Sequence, residues 1–289
     1  MQKPIKGREF SMPRKNLYER LDNLGVNVFT EYSALIKLFK FERNITYNYS
    51  HHTTIEYIND FYFRDLPANF RAPFLSVEEM IVALKLNDQS YSLDDLFLLS
   101  EFLVALLPNK YTKLKSDFQK QAYTIYENIF SFLEKLNYEL KELEDERIII
   151  VEKNPATTQA VGIVKDTSTA IALIEYNHYA LKGNLEEKRK ILTALGSYIE
   201  PILKSRALQS SGYKQLESDV SFMLNNFHVR HNNKEGAKAQ SYILELKSKQ
   251  LEEWYDKIYN AILSVIIVNE HLPTQRDIAT LKNTYAWKT

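Results

Sequence analysis

Residues 111–144, YTKLKSDFQKQAYTIYENIFSFLEKLNYELKELE, carry the pattern on which the fold class turns. Leu114, Phe118, Ala122, Ile125, Ile129, Phe132, Leu136, Leu140 and Leu143 recur at steps of three and four, the spacing that lines one face of an α-helix. The pattern predicts a single helix from about Tyr111 to Glu144, roughly 50 Å long at ~1.5 Å per residue, with a seam for a partner helix. Its acidic end, Glu142 to Glu146, opposes the helix dipole and marks an exit into solvent.

Outward from that segment the chain keeps reading as helix. On the N-terminal side, Phe29, Tyr32, Leu35, Ile36 and Phe39 predict a helix over about Val28 to Lys40. Thr53 with Glu56, Ser76 with Glu79 and Ser92 with Asp95 pair a short oxygen cap with an acid three residues on, the mark of a helix start. The aromatic stretch Phe61 to Phe74, with Pro67 and Pro73, predicts a packed loop.

On the C-terminal side, Arg147 to Val151 is a short strand-like connector with three consecutive isoleucines. Asn154-Pro155 then opens a helix running through Val161, Val164, Ile171, Ile174 and His178 to Leu181. Gly183 closes it, and Asn184 with Glu187 caps the second arm of a helical hairpin, Leu185 to about Leu208, with a kink at Pro201. After a break at Ser210 to Gly212, helices are expected over about Lys214 to His231 and Ser248 to Asn269. The polar loop Asn232 to Gly236 lies between those two. The apolar run Ile262, Leu263, Val265, Ile266 and Ile267 invites an interface. The reading is all-α, with an N-terminal helical region, sensing or regulatory, over 1–145 and a helical bundle over 146–289.

Composition agrees. Seven glycines and eight prolines in 289 residues leave little turn material for many short strands. With no cysteine there are neither disulfides nor thiolate metal sites, which suits a reducing, cytoplasmic setting. No stretch approaches the ~20 apolar residues of a membrane span, so no membrane partner is expected. Basic and acidic residues both number 37, which disfavours a general nucleic-acid coat protein but leaves room for a local RNA site. Lys3, Lys6, Arg8, Arg14, Lys15 and Arg20 make the N-terminal stretch basic, read as a solvated arm.

Chemistry concentrates in Leu224 to Asn233, Leu-Asn-Asn-Phe-His-Val-Arg-His-Asn-Asn. Val220, Met223, Leu224 and Phe227 form an apolar stripe, while Asn226 and Arg230 fall four apart on a neighbouring face of a continuing helix. A guanidinium offers a planar fork for phosphate oxygens, and an imidazole titrates near ~6.5, where it can take or give the protons of phosphodiester cleavage. The same residue types at a helix C-terminus also cap carbonyls and complement the dipole. Tyr176, Asn177 and His178 interrupt an apolar helix, either lining the same cleft or forming a satisfied polar cluster. His51-His52 lacks further ligands at metal-site spacing, so no metal and no cofactor is expected.

The C-terminal half resembles the HEPN-type helical domains of bacterial abortive-infection proteins of the AbiJ kind. The resemblance rests on Ile150 to Ala156 (Ile-Val-Glu-Lys-Asn-Pro-Ala), Glu175 to His178, Lys182 to Leu185 and, above all, Asn226 to Asn233. It implies a metal-independent endoribonuclease that serves as the toxic effector of phage defence. It also implies a homodimer or higher oligomer in which paired arginine–histidine sites cut an RNA substrate. Carried onto this sequence, Arg230 and His231 are the active pair and Asn226 an orienting residue. Asn225, Asn232, Asn233, Lys234, Tyr176, Asn177 and His178 would contact the strand. A phage-derived trigger or an inhibitory partner would act through the N-terminal region. The family motif separates its arginine and histidine by several residues, whereas here they are adjacent. On a helix, neighbours point roughly 100° apart, so a shared site requires the helix to have ended. The alternative reading is a non-catalytic helical module that binds a protein partner or a nucleotide.

Overall fold

The computed structural model describes residues 25–40, 45–47, 50–52, 76–86, 88, 90–106, 116–145, 147–231, 233–235 and 239–285. The basic N-terminal stretch, the Thr53–Glu56 cap, the aromatic loop 61–74 and Asn232 lie outside the described residues. The chain is all-α in class, with eleven α-helices and two short antiparallel hairpins among the described residues. It divides into two compact units. Of the described residues, 25–100 and 116–137 belong to the first, and 101–106 and 138–285 to the second.

In the first unit, α1 (Val28–Lys40) buries Tyr32, Leu35 and Ile36 but leaves Phe29 exposed. A hairpin follows, β1 (Ile45–Tyr47) against β2 (Ser50–His52), which holds His51 and His52. Two of the three expected caps lie on described residues, and both are present. Ser76 Oγ accepts from Glu79 N–H at the start of α2 (Val77–Ala83). Ser92 and Asp95 cap each other at the start of α3 (Leu93–Leu106), and Asp95 also takes Lys85 Nζ at 2.9 Å. Tyr32 stacks on Tyr91 and donates its hydroxyl to the Leu84 carbonyl.

The long helix is shorter than its apolar spacing predicts. α4 covers Ser116–Leu136, and Asn137 then turns left-handed at φ +64°, a conformation asparagine tolerates better than most residues. Beyond it, Tyr138–Glu142 is not helix but strand β3, paired antiparallel with β4 (Ile148–Glu152). Leu140 therefore sits on a ladder opposite Ile150, where a period of two replaces the helical period. The strand-like isoleucine run is half of that hairpin. Its outer edge is occupied as well: Ile150 N–H donates to Glu101 Oε1 at 2.5 Å, and Glu152 N–H donates to the Asn177 carbonyl at 2.9 Å.

The next predicted helix is two helices. α5 (Pro155–Ile163) starts where Asn154 Oδ1 accepts from Ala156 and Thr157 N–H, and ends as Val164 turns extended. Asp166 accepts from Thr169 N–H and starts α6 (Thr167–Glu175). A second strong cap thus overrides the continuous apolar pattern. A 3-10 turn, Tyr179–Leu181, precedes Gly183 at φ +78°. Asn184 then caps α7 (Leu185–Lys204), which runs through Pro201. α8 (Ala207–Ser210), α9 (Lys214–Asn226), α10 (Ser241–Glu245) and α11 (Ser248–Tyr285) complete the unit.

α11 is the spine of this unit, packed on α5, α7 and α9. Its Tyr255, Ile258, Tyr259, Ile262, Leu263, Val265 and Ile266 are buried with Leu192, Leu195 and Ile199 of α7 and Val220 and Leu224 of α9. Ile262, Leu263, Val265 and Ile266 are therefore core, at most 2% exposed, and not an intermolecular face, and Ile267 packs partly buried against the same core. α11 also continues well past Asn269, to Tyr285. No helix among the described residues is long and apolar enough to cross a membrane.

Candidate functional site

α9 ends at Asn226, and the expected helix to His231 gives way to a folded loop. Phe227 leaves helical geometry at ψ +39°, and His228 adopts φ +59°. Asn226 and Arg230 are therefore not one helical turn apart. Asn226 stays on the last turn of α9: its Nδ2 donates to the Phe222 carbonyl at 2.8 Å, its Oδ1 accepts from Gln240 Nε2 at 3.5 Å, and its carbonyl accepts from Tyr242 Oη at 3.1 Å. Asn225 beside it is half-buried.

The loop is seated along one face of α7. Arg189 Nε donates to the His228 carbonyl at 2.6 Å, and Thr193 Oγ1 lies 3.2 Å from the Val229 carbonyl. Arg230 Nη2 donates to the Gly196 carbonyl at 3.0 Å. Residues 189, 193 and 196 follow one another up a single helix face, so three successive loop residues are held in sequence. Val229 and Phe227 are buried beneath them. A glycine at 196 suits the close approach, because a Cβ there would stand 3.1 Å from Leu224 Cδ2, a tight contact, and 3.8 Å from Arg230 Nε.

Within the loop, His228 and Asn233 are both buried and bonded to each other. Burial, followed by the Arg189 and Lys234 charges, holds the His228 imidazole below its ordinary pKa, against smaller opposing pulls from the Glu186 charge and a hydrogen bond with the His231 backbone. The charged form of His228 is thus disfavoured where it sits. Arg230 and His231 are half-buried at the outer turn, with Lys234 exposed beyond them. The Glu200 carboxyl sits below the usual range because Lys204 binds it and the Arg230 charge lies nearby, so Arg230 keeps a carboxylate for a neighbour.

Tyr176, Asn177 and His178 engage another set of partners. Tyr176 donates to Asp256 at 3.1 Å, stacks on Tyr259 at 4.0 Å between ring centres, and carries Lys188 Nζ over its face. Burial next to Asp256 pushes its hydroxyl far above the ordinary phenol range. Asn177 Nδ2 reaches Thr157 Oγ1, the Leu173 carbonyl and Tyr259 Oη. His178 Nε2 lies 2.9 Å from Glu101 Oε1. Lys188, itself buried, bridges Glu252 at 2.8 Å and Asp256 at 2.9 Å. These are the contacts of a satisfied polar cluster within the bundle.

The loop stands out in the sequence, whereas its seat on α7 went unpredicted. Arg189, Thr193 and Gly196 recur at helical spacing, and a glycine in mid-helix is the signal that something approaches closely there. No protein-family model, curated protein or solved structure matches the chain. Among the described residues, no group of three or more histidine, aspartate or glutamate side chains is placed to hold a metal ion.

Proposed function

We propose that the second unit is a HEPN-like, metal-independent endoribonuclease that acts as a toxic effector in abortive-infection phage defence. One observation carries this reading. α9 stops at Asn226, four positions ahead of Arg230, so Arg230 and His231 are released from the helical offset that would hold them apart. Both remain half-accessible on a loop pinned to α7, the rigid support that a catalytic pair needs. His231 takes the ribose 2′-hydroxyl proton and returns it to the leaving 5′-oxygen. The remaining N–H groups of Arg230 meet the charge growing on the phosphoryl oxygens. The products are a cyclic phosphate and a 5′-hydroxyl. RNA is the substrate, a second copy of the chain supplies the opposing pair, and a phage-derived trigger or inhibitory partner acts through the N-terminal region in the cytoplasm.

A non-catalytic interaction module is the competing reading, favoured by the bond from Arg230 to the Gly196 carbonyl and by the neighbouring Glu200 carboxylate. The bond and the nearby negative charge make Arg230 a fastening of the loop. Purified chain incubated with total RNA separates the two, with His231→Ala and Arg230→Ala alongside and new 5′-hydroxyl ends counted. The nuclease reading expects cleavage by the wild type and its loss in His231→Ala at unchanged melting temperature. An inert wild type, or cleavage unchanged in both variants, overturns it.

A further inference from the structure

α11 outlasts the bundle it supports. Leu272 is its last buried residue, Pro273 follows, and residues 276–285 are all exposed. Gln275 makes the last side-chain bond to another element among the described residues, its Nε2 donating to Tyr213 Oη at 2.8 Å. Past it, the side-chain bonds among the described residues are those of Thr280 and Thr284 to carbonyls of their own helix. Residues 276–285 thus lack the burial of one face that supplies most of a helix's stability in a folded protein.

The surface pattern of that end says which partner would supply it. Ile278, Leu281 and Tyr285 are 43%, 59% and 72% exposed and, at helical spacing, lie within roughly 60° of one another. Asp277 flanks that stripe on one side and Lys282 on the other. We propose that two copies of this chain pair through the ends of α11 as a parallel two-stranded coiled coil. Ile278 and Tyr285 then occupy a positions, and Thr274 and Leu281 occupy d positions. In that arrangement Asp277 is a g residue and Lys282 the e residue five positions on, so each aspartate meets the lysine of the other copy, twice by symmetry. An antiparallel pair would instead turn the aspartate edges toward each other, leaving no opposite charge across the seam. Two heptads cover less than the ~1,200 Å² of a standard interface, so the dimer is reversible. The inference stands on α11 alone and holds whether or not Arg230 and His231 cut RNA.

Sedimentation velocity of the full chain over a dilution series tests it. The wild type is expected to shift from dimer to monomer on dilution, and Leu281→Glu to be monomeric throughout. Asp277→Lys and Lys282→Asp should each weaken association several-fold, and the two together should restore it. A wild type that is monomeric at every concentration overturns the proposal, as does a dimer that Leu281→Glu leaves intact. Failure of the charge exchange to rescue assembly rules out the parallel pairing. A monomer at every concentration would also remove the opposing pair of the proposed nuclease, whereas a dimer that Leu281→Glu leaves intact overturns the α11 pairing alone.

Discussion

His228 and Asn233 hold each other across the loop that carries Arg230 and His231: the His228 N–H donates to Asn233 Oδ1 at 2.8 Å, and the Asn233 N–H donates to His228 Nδ1 at 3.2 Å. A backbone N–H can only give a proton, so Nδ1 offers a lone pair and the imidazole proton sits on Nε2. The two groups are 8% and 1% exposed, which makes the ring a structural member of the loop, and the partly buried His231 is the histidine on which the proposed cleavage depends.

Asn233→Ala removes the acceptor for a buried N–H. The expected loss is about 1–3 kcal/mol of folding stability, the cost of leaving such a donor unpaired. Asn233→Asp keeps an acceptor oxygen in place and should lose less. Urea unfolding of the two variants beside the wild type measures both.

Lowered pH should loosen the same loop. The His228 pKa is depressed in the fold, so between its folded value and the ordinary 6.5 the unfolded chain binds more protons than the folded one. Its contribution is complete above pH 6.5 and is lost as pH falls through that window. His228→Asn retains an acceptor near the Nδ1 position and suits φ +59°, but it does not titrate. Melting temperatures across that range should fall more steeply for the wild type than for His228→Asn.

Gly196→Ala sets two effects against each other. Alanine gains up to ~1 kcal/mol of helix propensity over glycine. Its methyl, however, would stand 3.1 Å from Leu224 Cδ2, and Leu224 is wholly buried, with little room to give. Crowding of this kind costs ~1–3 kcal/mol, so a net loss of about 1 kcal/mol is expected by chemical denaturation. Leu224→Val, by shortening the crowded side chain, should absorb part of that loss in the double variant.

Lys188→Met tests the polar cluster. The ammonium is buried between the Glu252 and Asp256 carboxylates, and its removal leaves these two like charges without the Lys188 cation between them. A loss of about 3 kcal/mol is expected, measured by guanidinium unfolding. Combining Lys188→Met with Glu252→Gln and Asp256→Asn, which removes both carboxylate charges, should recover much of it.

The helical class, the capping pairs Ser76–Glu79 and Ser92–Asp95, the Asn184 cap and the extent of α1 were legible in the sequence, because each is written in residues close together along the chain. The errors came where a local signal competed with a longer period. Leu140 and Leu143 continue the spacing of α4, yet one left-handed asparagine and a waiting isoleucine run convert that segment to strand. Val164 to Ile174 keep a helical rhythm, but Asp166 offers a fresh cap in its middle. At the candidate site the polar loop was visible, whereas its seat was not, since contacts between residues 34 to 39 positions apart leave no mark on either segment alone.

The occupied outer rim of β4 has a further consequence. Four consecutive branched aliphatics, Ile148 to Val151, form the sort of segment that recruits copies of itself into fibrils when its main chain is left open. Here β3 saturates one side, while a carboxylate from Glu101 and the carbonyl of Asn177 stop up the other. Glu101 thus occupies one of the N–H groups through which this strand could add a copy of itself, and Glu101→Ala is expected to raise turbidity and dye-binding aggregates.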